Sequence, residues 1–261
     1  MTDSLPVPLD VRLMNMTASV LLLGCVVLMA AAGGWWVLRN PVFSIRSIAV
    51  QGELNHNNAV TLRANVAHKL AGNFFTIDLA AAREAFESVP WVRHAAVRRN
   101  FPNQLQVDIE EQVPVALWGP ESGSGLLNSF GEVFEANVGD VDQDDLPRLQ
   151  GPDGQSLEVL DMYGRLRPVL APLELEMQEL DLNSRGGWRV ILDSGATLEL
   201  GSGTVDEVLA RTRRFVATLT QVSSRYGRKP DALVSADLRH NDGYALRLNG
   251  VTTVAPEAKK K

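Results

Sequence analysis

The chain has 261 residues, of which 45% are hydrophobic and 21% are charged, a balance that favours one or two packed domains over a disordered chain. Its net charge of −6, without a long basic stripe, argues against nucleic acid as a partner. Cys25 is the single cysteine, which excludes a disulfide framework and a zinc site built from cysteines.

The first element in chain order is an apolar run, Leu13–Leu38, that contains no charged residue. Spanning a bilayer takes roughly 20 apolar residues. We therefore predict a cytoplasmic tail at 1–15 and a transmembrane helix at 16–38. Trp35 and Trp36 lie near the far end of the run, where aromatic residues are enriched at membrane interfaces.

A cleaved signal peptide is the alternative interpretation of this run, because Ala30–Ala32 imitates a small-residue cleavage site. The apolar character resumes at Trp35–Leu38, which favours an uncleaved anchor. Charge alone does not favour a cytoplasmic N-terminus, since Arg12 precedes the run whereas Arg39 and Arg46 follow it.

Residues 41–112 have the pattern of a β-α-α-β-β domain. Phe43–Gly52 alternates as a strand does, and two helical patterns follow it. Asp78 is a good N-cap for the second helix, and Pro90 stops that helix. Two alternating strands then flank a turn at Asn100–Asn103. The order places all five elements in about 70 residues, the size of a small domain.

Residues 113–254 have a different pattern, which predicts a mostly antiparallel β domain with two helices. Leu126–Phe134 is typical of a strand, a turn and a second strand. One helix is predicted from Ser156 to near Pro168, and another behind the capping box Thr204–Glu207. The remaining predicted strands are Met177–Asn183, Trp188–Asp193, Thr197–Leu200, Ala232–Leu238 and Tyr244–Leu248. We expect the basic tail at 255–261 to be disordered.

Two patterns imitate ligand sites but lack essential residues. Asp140, Asp142 and Asp144 resemble the start of a calcium loop, but the sixth and twelfth positions lack the required Gly and Glu. Gly201–Thr204 precedes a helix, as in an anion-binding loop, but no lysine follows as in a P-loop. We expect neither a cofactor nor a metal.

An enzyme that acts on the cell wall is one functional class to be weighed against a non-catalytic protein. No serine has a lysine three residues later, and no Gly-x-Ser-x-Gly motif occurs, which argues against serine acyl transfer. Glycan cleavage needs two carboxylates facing one cleft, and the sequence leaves that alternative open. An outer-membrane translocation component would need a β-barrel, whereas the second half contains two helical patterns.

Seven segments follow one another after the apolar run. They are FSIRSIAVQG, NFFTIDL, PWVRHAAVRRNFPNQLQVDIEEQVPVALW, LLNSFGEVF, LPRLQGPDG, SRGGWRVILDSGATLELGSG and VSADLRHNDGYALRL. Together they resemble the FtsQ/DivIB family of bacterial cell-division proteins. The resemblance implies an α+β fold with one membrane span, a POTRA domain at 41–112 and a mostly antiparallel β domain at 113–254. It also implies a single-pass inner-membrane protein at the division septum, with a cytoplasmic N-terminus, periplasmic domains and no catalysis.

The resemblance further implies an essential scaffold of the divisome that binds FtsB and FtsL and links early cytoplasmic to late periplasmic division proteins. Its final strand would lie at a sheet edge, where unpaired backbone groups accept a partner's strand. Arg185 and Trp188 are expected on a neighbouring strand. The face of Tyr244 and Leu246 either contacts the partner or packs on the core, leaving the backbone edge as the interface. The implied partner-binding residues are Arg185, Trp188, Arg239, His240, Asp242, Tyr244, Ala245, Leu246 and Arg247. The alternatives are a periplasmic cell-wall enzyme and another membrane-anchored POTRA docking protein.

Overall fold

The computed structural model of this chain describes residues 9–52, 54–120, 125–142, 145–240 and 243–251. The chain divides into two compact units, the first ending at Glu111 and the second beginning at Gln112. The first unit contains the apolar helix and a small α/β arrangement, and the second contains a large sheet with two helices. The predicted α+β fold is confirmed.

Helix α1 (Leu9–Arg39) is the apolar helix of the first unit. Its segment Leu9–Trp36 is long and apolar enough to cross a membrane, and none of it is buried within the protein. No other helix in the described part of the chain meets that test. The predicted N-terminal tail falls partly on residues 1–8, which lie outside the described residues.

The remainder of the first unit has the predicted β-α-α-β-β order. Its elements are β1 (Ser47–Gln51), α2 (Ala59–Ala67), α3 (Leu79–Glu87), β2 (Val92–Asn100) and β3 (Gln104–Glu111). Strand β3 lies in the middle of the sheet, parallel to β1 and antiparallel to β2. The two helices pack on one face of this sheet around a core that includes Leu62, Val66, Phe86, Ala95 and Val107.

Strand β1 is shorter than the predicted strand Phe43–Gly52. The segment Pro41–Phe43 instead forms a 3-10 turn, because Asn40 caps it by accepting a hydrogen bond from the Val42 amide and proline suits the first helical position. The predicted N-cap of α3 is confirmed, since the Asp78 carboxylate accepts hydrogen bonds from the amides of Ala80 and Ala81.

The second unit is built on a sheet of nine strands. These are β4 (Pro114–Trp118), β5 (Gly125–Asn128), β6 (Val133–Phe134), β7 (Arg148–Gln150), β8 (Met177–Leu182), β9 (Trp188–Leu192), β10 (Thr197–Gly201), β11 (Leu233–Asp237) and β12 (Ala245–Leu248). Their order across the sheet is β12-β11-β10-β9-β8-β7-β4-β5-β6. Among the described strands, five neighbouring pairs are antiparallel and three are parallel.

Helices α4 (Ser156–Leu170) and α5 (Val205–Arg225) make the crossover connections of two parallel pairs, β7 to β8 and β10 to β11. Parallel neighbours require such long connections, because a tight turn cannot join them. Both helices contribute buried residues to one core with the sheet, among them Met162, Leu166, Phe215 and Leu219. The predicted capping box at Thr204 and Glu207 is confirmed at the start of α5.

Helix α4 continues past its predicted end near Pro168 and includes that proline. A proline inside a helix costs about 3 kcal/mol. Leu166 and Leu170 flank Pro168 and are both almost completely buried, and burying a leucine contributes about 1.5–3 kcal/mol. Packing of the last turn against the sheet therefore outweighs the local preference of the proline.

Candidate partner-binding site

Strand β12 is an edge strand, since it pairs with β11 on one side and ends the sheet on the other. Along an antiparallel edge strand, alternate residues direct their backbone N–H and C=O groups away from the sheet. The side chains alternate as well, because Ala245 and Arg247 are exposed whereas Leu248 is buried. The predicted last strand thus presents a backbone edge that another strand could extend.

Tyr244 and Leu246 are directed towards the core of the second unit. Both are partly buried and pack against its hydrophobic cluster. The Tyr244 ring meets the Phe215 ring of α5 edge-to-face, with 5.1 Å between centroids. The Tyr244 hydroxyl lies 2.7 Å from the Thr218 hydroxyl of the same helix. Of the two interpretations of this face, the structure favours core packing, which leaves the backbone edge and the face of Ala245 and Arg247 accessible.

Arg239 follows β11 and holds Asp237 through a two-point ion pair. Its Nε donates to Asp237 Oδ1 at 2.9 Å and its terminal nitrogen donates to Oδ2 at 2.6 Å. These hydrogen bonds lower the pKa of Asp237 to about 2. The Arg239 side chain remains 62% exposed, so it is fixed in direction yet open to solvent. His240 is exposed next to it, and Asp242 lies outside the described residues.

Arg185 and Trp188 were expected on the strand next to β12, and this prediction is wrong. Arg185 is exposed in the turn before β9, and Trp188 begins β9, three strands away from β12. Neighbouring strands are about 4.8 Å apart, so roughly 14 Å separate β9 from the edge. Trp188 is also only 3% exposed, which makes its side chain part of the core. The family resemblance placed these two residues by their motif, which carries no information on strand order.

Arg239 nevertheless lies over the end of the strand that pairs with β9. Gly201 of β10 is opposite Trp188 in the antiparallel register. A Cβ atom at Gly201 would lie 2.9 Å from the Arg239 Cγ. A glycine is therefore required here, both for its positive φ of 78° and for the close passage of the arginine. This contact links β10 to the segment that leads into β12.

A row of charged residues on the face opposite the helices was not anticipated. The strand registers align Asp181, Arg189, Glu199 and Asp237 across β8 to β11, and Ala245 of β12 ends the row. Arg189 Nε donates to Glu199 at 2.8 Å. Partial burial raises the pKa of Asp181. Each of these strands carries at least one charged residue among its apolar ones, but only the register aligns the charges into one row.

Other chemical arrangements lie outside the edge strand. Within the described residues, no group of three His, Cys, Asp or Glu side chains is close enough to hold a metal ion. A cavity of about 710 Å³ beside α4 is lined by charged and polar residues, including Tyr163, Arg167, Glu174, Glu176 and Asp193. Burial raises the pKa of Tyr163. The cavity mixes both signs of charge with apolar residues.

The fold defines a class of protein in which a helix apolar and long enough to cross a membrane is followed by a small β-α-α-β-β domain and a larger β domain. Two family models match these parts in the same order. The model described as "POTRA domain, FtsQ-type" matches residues 43–112. The model described as "Cell division protein FtsQ/DivIB, C-terminal" matches residues 116–239.

Full-length relatives agree with these matches. The chain is 40% identical over 253 residues to the cell division protein FtsQ of Burkholderia pseudomallei strain K96243, covering 97% of this chain and 98% of that protein. It is 40% identical over 252 residues to FtsQ of Thiomonas arsenitoxydans, covering 94% and 90%. It is 31% identical over 227 residues to FtsQ of Neisseria meningitidis serogroup B, covering 87% and 92%. The chain belongs to the FtsQ/DivIB family, and its role is in cell division.

Proposed function

We propose that this protein is an essential, non-catalytic scaffold of the divisome that binds FtsB and FtsL and joins early cytoplasmic to late periplasmic division proteins. Its anchor fixes it in the inner membrane at the septum, with the N-terminus in the cytoplasm. The domain at 41–112 and the domain at 113–254 then lie in the periplasm. The apolar helix segment Leu9–Trp36, which none of the described residues buries, supports the single membrane span.

The observation that carries the proposal is the position of β12 at the edge of a large sheet. A strand from FtsB adds to this edge, because main-chain hydrogen bonds supply affinity and alternate side chains supply specificity. The nine-stranded sheet offers a formed template for such an addition, since one of its faces packs on helices α4 and α5 in a shared hydrophobic core. FtsL joins through the same complex.

Two exposed arginines near the edge favour a partner that carries negative charge. Arg247 lies on the accessible face of β12, and Arg239 is held by Asp237 at the end of β11. We propose that acidic side chains of the partner pair with these two arginines. His240 precedes the edge strand and Ala245 begins it, whereas Tyr244 and Leu246 hold β12 on the core. Asp242, between them in the sequence, is kept as a proposed contact. Trp188 lies further in, as part of the core under the sheet, and Arg185 is exposed in the turn before β9; in the proposal neither forms the main contact.

A proline at each edge of the sheet tests this proposal. Ala245 begins β12 and Val133 begins β6, the opposite edge strand, and both are exposed. Proline donates no hydrogen bond, and the Ala245 amide faces β11, because the Asn249 amide on the same side of the strand donates to Ala232. Ala245→Pro therefore loosens the start of the edge strand that the partner would extend. We expect Ala245→Pro to reduce co-purification of FtsB and FtsL at least about tenfold, the equivalent of about 1.4 kcal/mol. Val133→Pro should retain both partners.

Full capture by a folded Ala245→Pro protein, or equal loss in both variants, would refute strand addition at β12. The cell-wall enzyme alternative has its own measurement, in which the purified periplasmic part is incubated with isolated peptidoglycan. Release of glycan or peptide fragments, abolished by Glu176→Gln in the cavity beside α4, would favour the enzyme. We expect no release.

A further inference from the structure

Four phenylalanine rings gather at the end of the first unit where the membrane helix ends. Phe43 and Phe75 meet edge-to-face at 4.9 Å, Phe74 and Phe75 at 5.3 Å, and Phe74 and Phe101 at 5.9 Å between ring centroids. These residues, the phenylalanine cluster, come from three separate segments of the chain. Phe74 is buried, but Phe75 is 43% and Phe101 is 73% exposed.

Hydrogen bonds join those three segments to one another and to the end of α1. The Phe74 amide donates to the Phe43 carbonyl at 2.9 Å, and the Arg46 amide donates to the Asn103 carbonyl at 2.9 Å. The Asn73 side-chain amide donates to the carbonyl of Leu38 in α1. The cluster is thus a built feature of the domain and is attached to the last turn of the helix.

The chain leaves little room between the cluster and the bilayer. Asn40 is the single residue between α1 and the turn Pro41–Phe43. Trp35 and Trp36 are exposed on the last turns of α1, where aromatic side chains sit at the headgroup level. Arg39 lies 4.3 Å above the Trp35 ring, which places a cation at the same level.

We propose that the phenylalanine cluster is inserted into the interfacial layer of the bilayer. The proposal rests on the membrane span proposed above, and its partner is the lipid surface. Large exposed aromatic groups at the rim of a membrane span match a layer that accepts apolar rings beside polar headgroups. Phe75 and Phe101, together with the exposed Val42, supply the lipid contacts, while Phe43 and Phe74 tie them to the domain.

This contact fixes the direction of the domain relative to the membrane. Strand β3 starts at Gln104, beside the turn that contains Phe101, and runs to Glu111. Eight residues of strand span about 26 Å, so Glu111 lies far from the lipid. The loop before α2 is at that distal end, because Asn57 donates its amide hydrogen to Glu111. Val60, two residues after the Asn58 cap and 67% exposed, is an apolar surface residue at the distal end.

Spin labels in single-chain nanodiscs test the insertion. The full-length chain is labelled at native Cys25, or, in a Cys25→Ala background, at Phe75→Cys, Phe101→Cys or Val60→Cys. Collision rates of each label with oxygen, which concentrates in lipid, and with a water-soluble nickel complex are then compared. We expect the oxygen-to-nickel ratio at residues 75 and 101 to exceed the ratio at residue 60 several-fold, with the largest ratio at residue 25.

The label at Cys25 separates the two proposals. A lipid-like signal at residue 25 with water-like signals at residues 75 and 101 would overturn the insertion of the cluster and leave the anchor intact. A water-like signal at residue 25 would overturn the anchor, and the insertion with it. One chain per nanodisc excludes shielding by a second copy, and since the labelled positions 75, 101 and 60 are exposed, the domain should fold in each variant.

Discussion

Glu111 stabilises the loop that precedes α2 by accepting hydrogen bonds from three consecutive backbone amides. The amides of Asn55, His56 and Asn57 lie 2.8 Å, 3.0 Å and 2.8 Å from its carboxylate oxygens. Burial opposes ionisation of this carboxyl, but the hydrogen bonds outweigh it and lower its pKa. The His56 ring, 3.6 Å from the carboxylate, stacks on Trp91 with 3.8 Å between centroids.

Replacing this carboxylate should loosen the loop. We expect Glu111→Gln to raise the exchange rates of the backbone amides at 55–57 roughly ten- to a hundredfold at neutral pH, since a buried charged acceptor is worth about 1.5–3 kcal/mol. Hydrogen exchange measured by mass spectrometry, corrected for intrinsic rates, checks this. Glu110→Gln is the matched control, because Glu110 is an exposed neighbour paired with Arg93 and should change little.

The same carboxyl predicts a pH dependence with a definite sign. A lowered pKa means that its contribution is present above the ordinary value of 4.5 and is lost as the pH falls through the folded-state pKa. Protection of the loop should therefore decline below about pH 4.5 in the natural chain and stay flat in Glu111→Gln. An identical decline in both chains would contradict the assignment.

At the scale of elements, helix α5 supports the edge strand β12. The Thr218 hydroxyl lies 2.8 Å from the Arg214 carbonyl, to which it donates. The Tyr244 hydroxyl is therefore the donor in its contact with Thr218. Together with the packing of Tyr244 on Phe215, this bond holds the start of β12 against the helix. The edge that the partner would extend depends on a contact made on the opposite, buried side.

Two substitutions at Tyr244 separate the hydrogen bond from the ring. We expect Tyr244→Phe to destabilise β12 by about 1 kcal/mol and to retain FtsB. Tyr244→Ala should cost about 3 kcal/mol or more and release FtsB, because the ring no longer packs on Phe215. Hydrogen exchange of the amides at 245–248 and co-purification of FtsB measure both effects. Tyr226→Phe serves as the control, because Tyr226 is an exposed tyrosine directly after the same helix. Normal FtsB capture by Tyr244→Ala would argue against this support.

The elements were largely predictable because their signals are local. Asp78, Thr204 and Glu207 mark helix starts through caps that involve neighbouring residues. Which strands lie next to each other was harder to predict from the sequence, because strand pairing joins segments that are distant in the chain. Trp188 was expected beside the last strand but lies three strands away, and the charged row from Asp181 to Asp237 exists only through the register. The partners of Glu111 are more than 50 residues distant in the chain, beyond any periodic pattern.

At the scale of the whole molecule, the apolar helix comes first, and the POTRA domain and the β domain follow it in the order in which the two family models match. The ordered motifs made this architecture predictable, since each reports a local turn, cap or strand. The last strand was predictable as an element, and the partner site at that strand stays a prediction. Which of its side chains are accessible was not predictable from the sequence. Because Tyr244 and Leu246 pack against the core, the groups of β12 that a partner can reach are the backbone edge and the side chains of Ala245 and Arg247.

Site-specific photo-crosslinking in dividing cells tests the capture of FtsB by β12 most directly. A photoreactive residue is placed at Ala245, Arg247 or Asn249 along the edge, at Val133 on the opposite edge, and at Arg189 within the sheet. We predict FtsB adducts from the positions along β12 and none from Val133 or Arg189. FtsB adducts at Val133 or Arg189, with none along β12, would contradict the account.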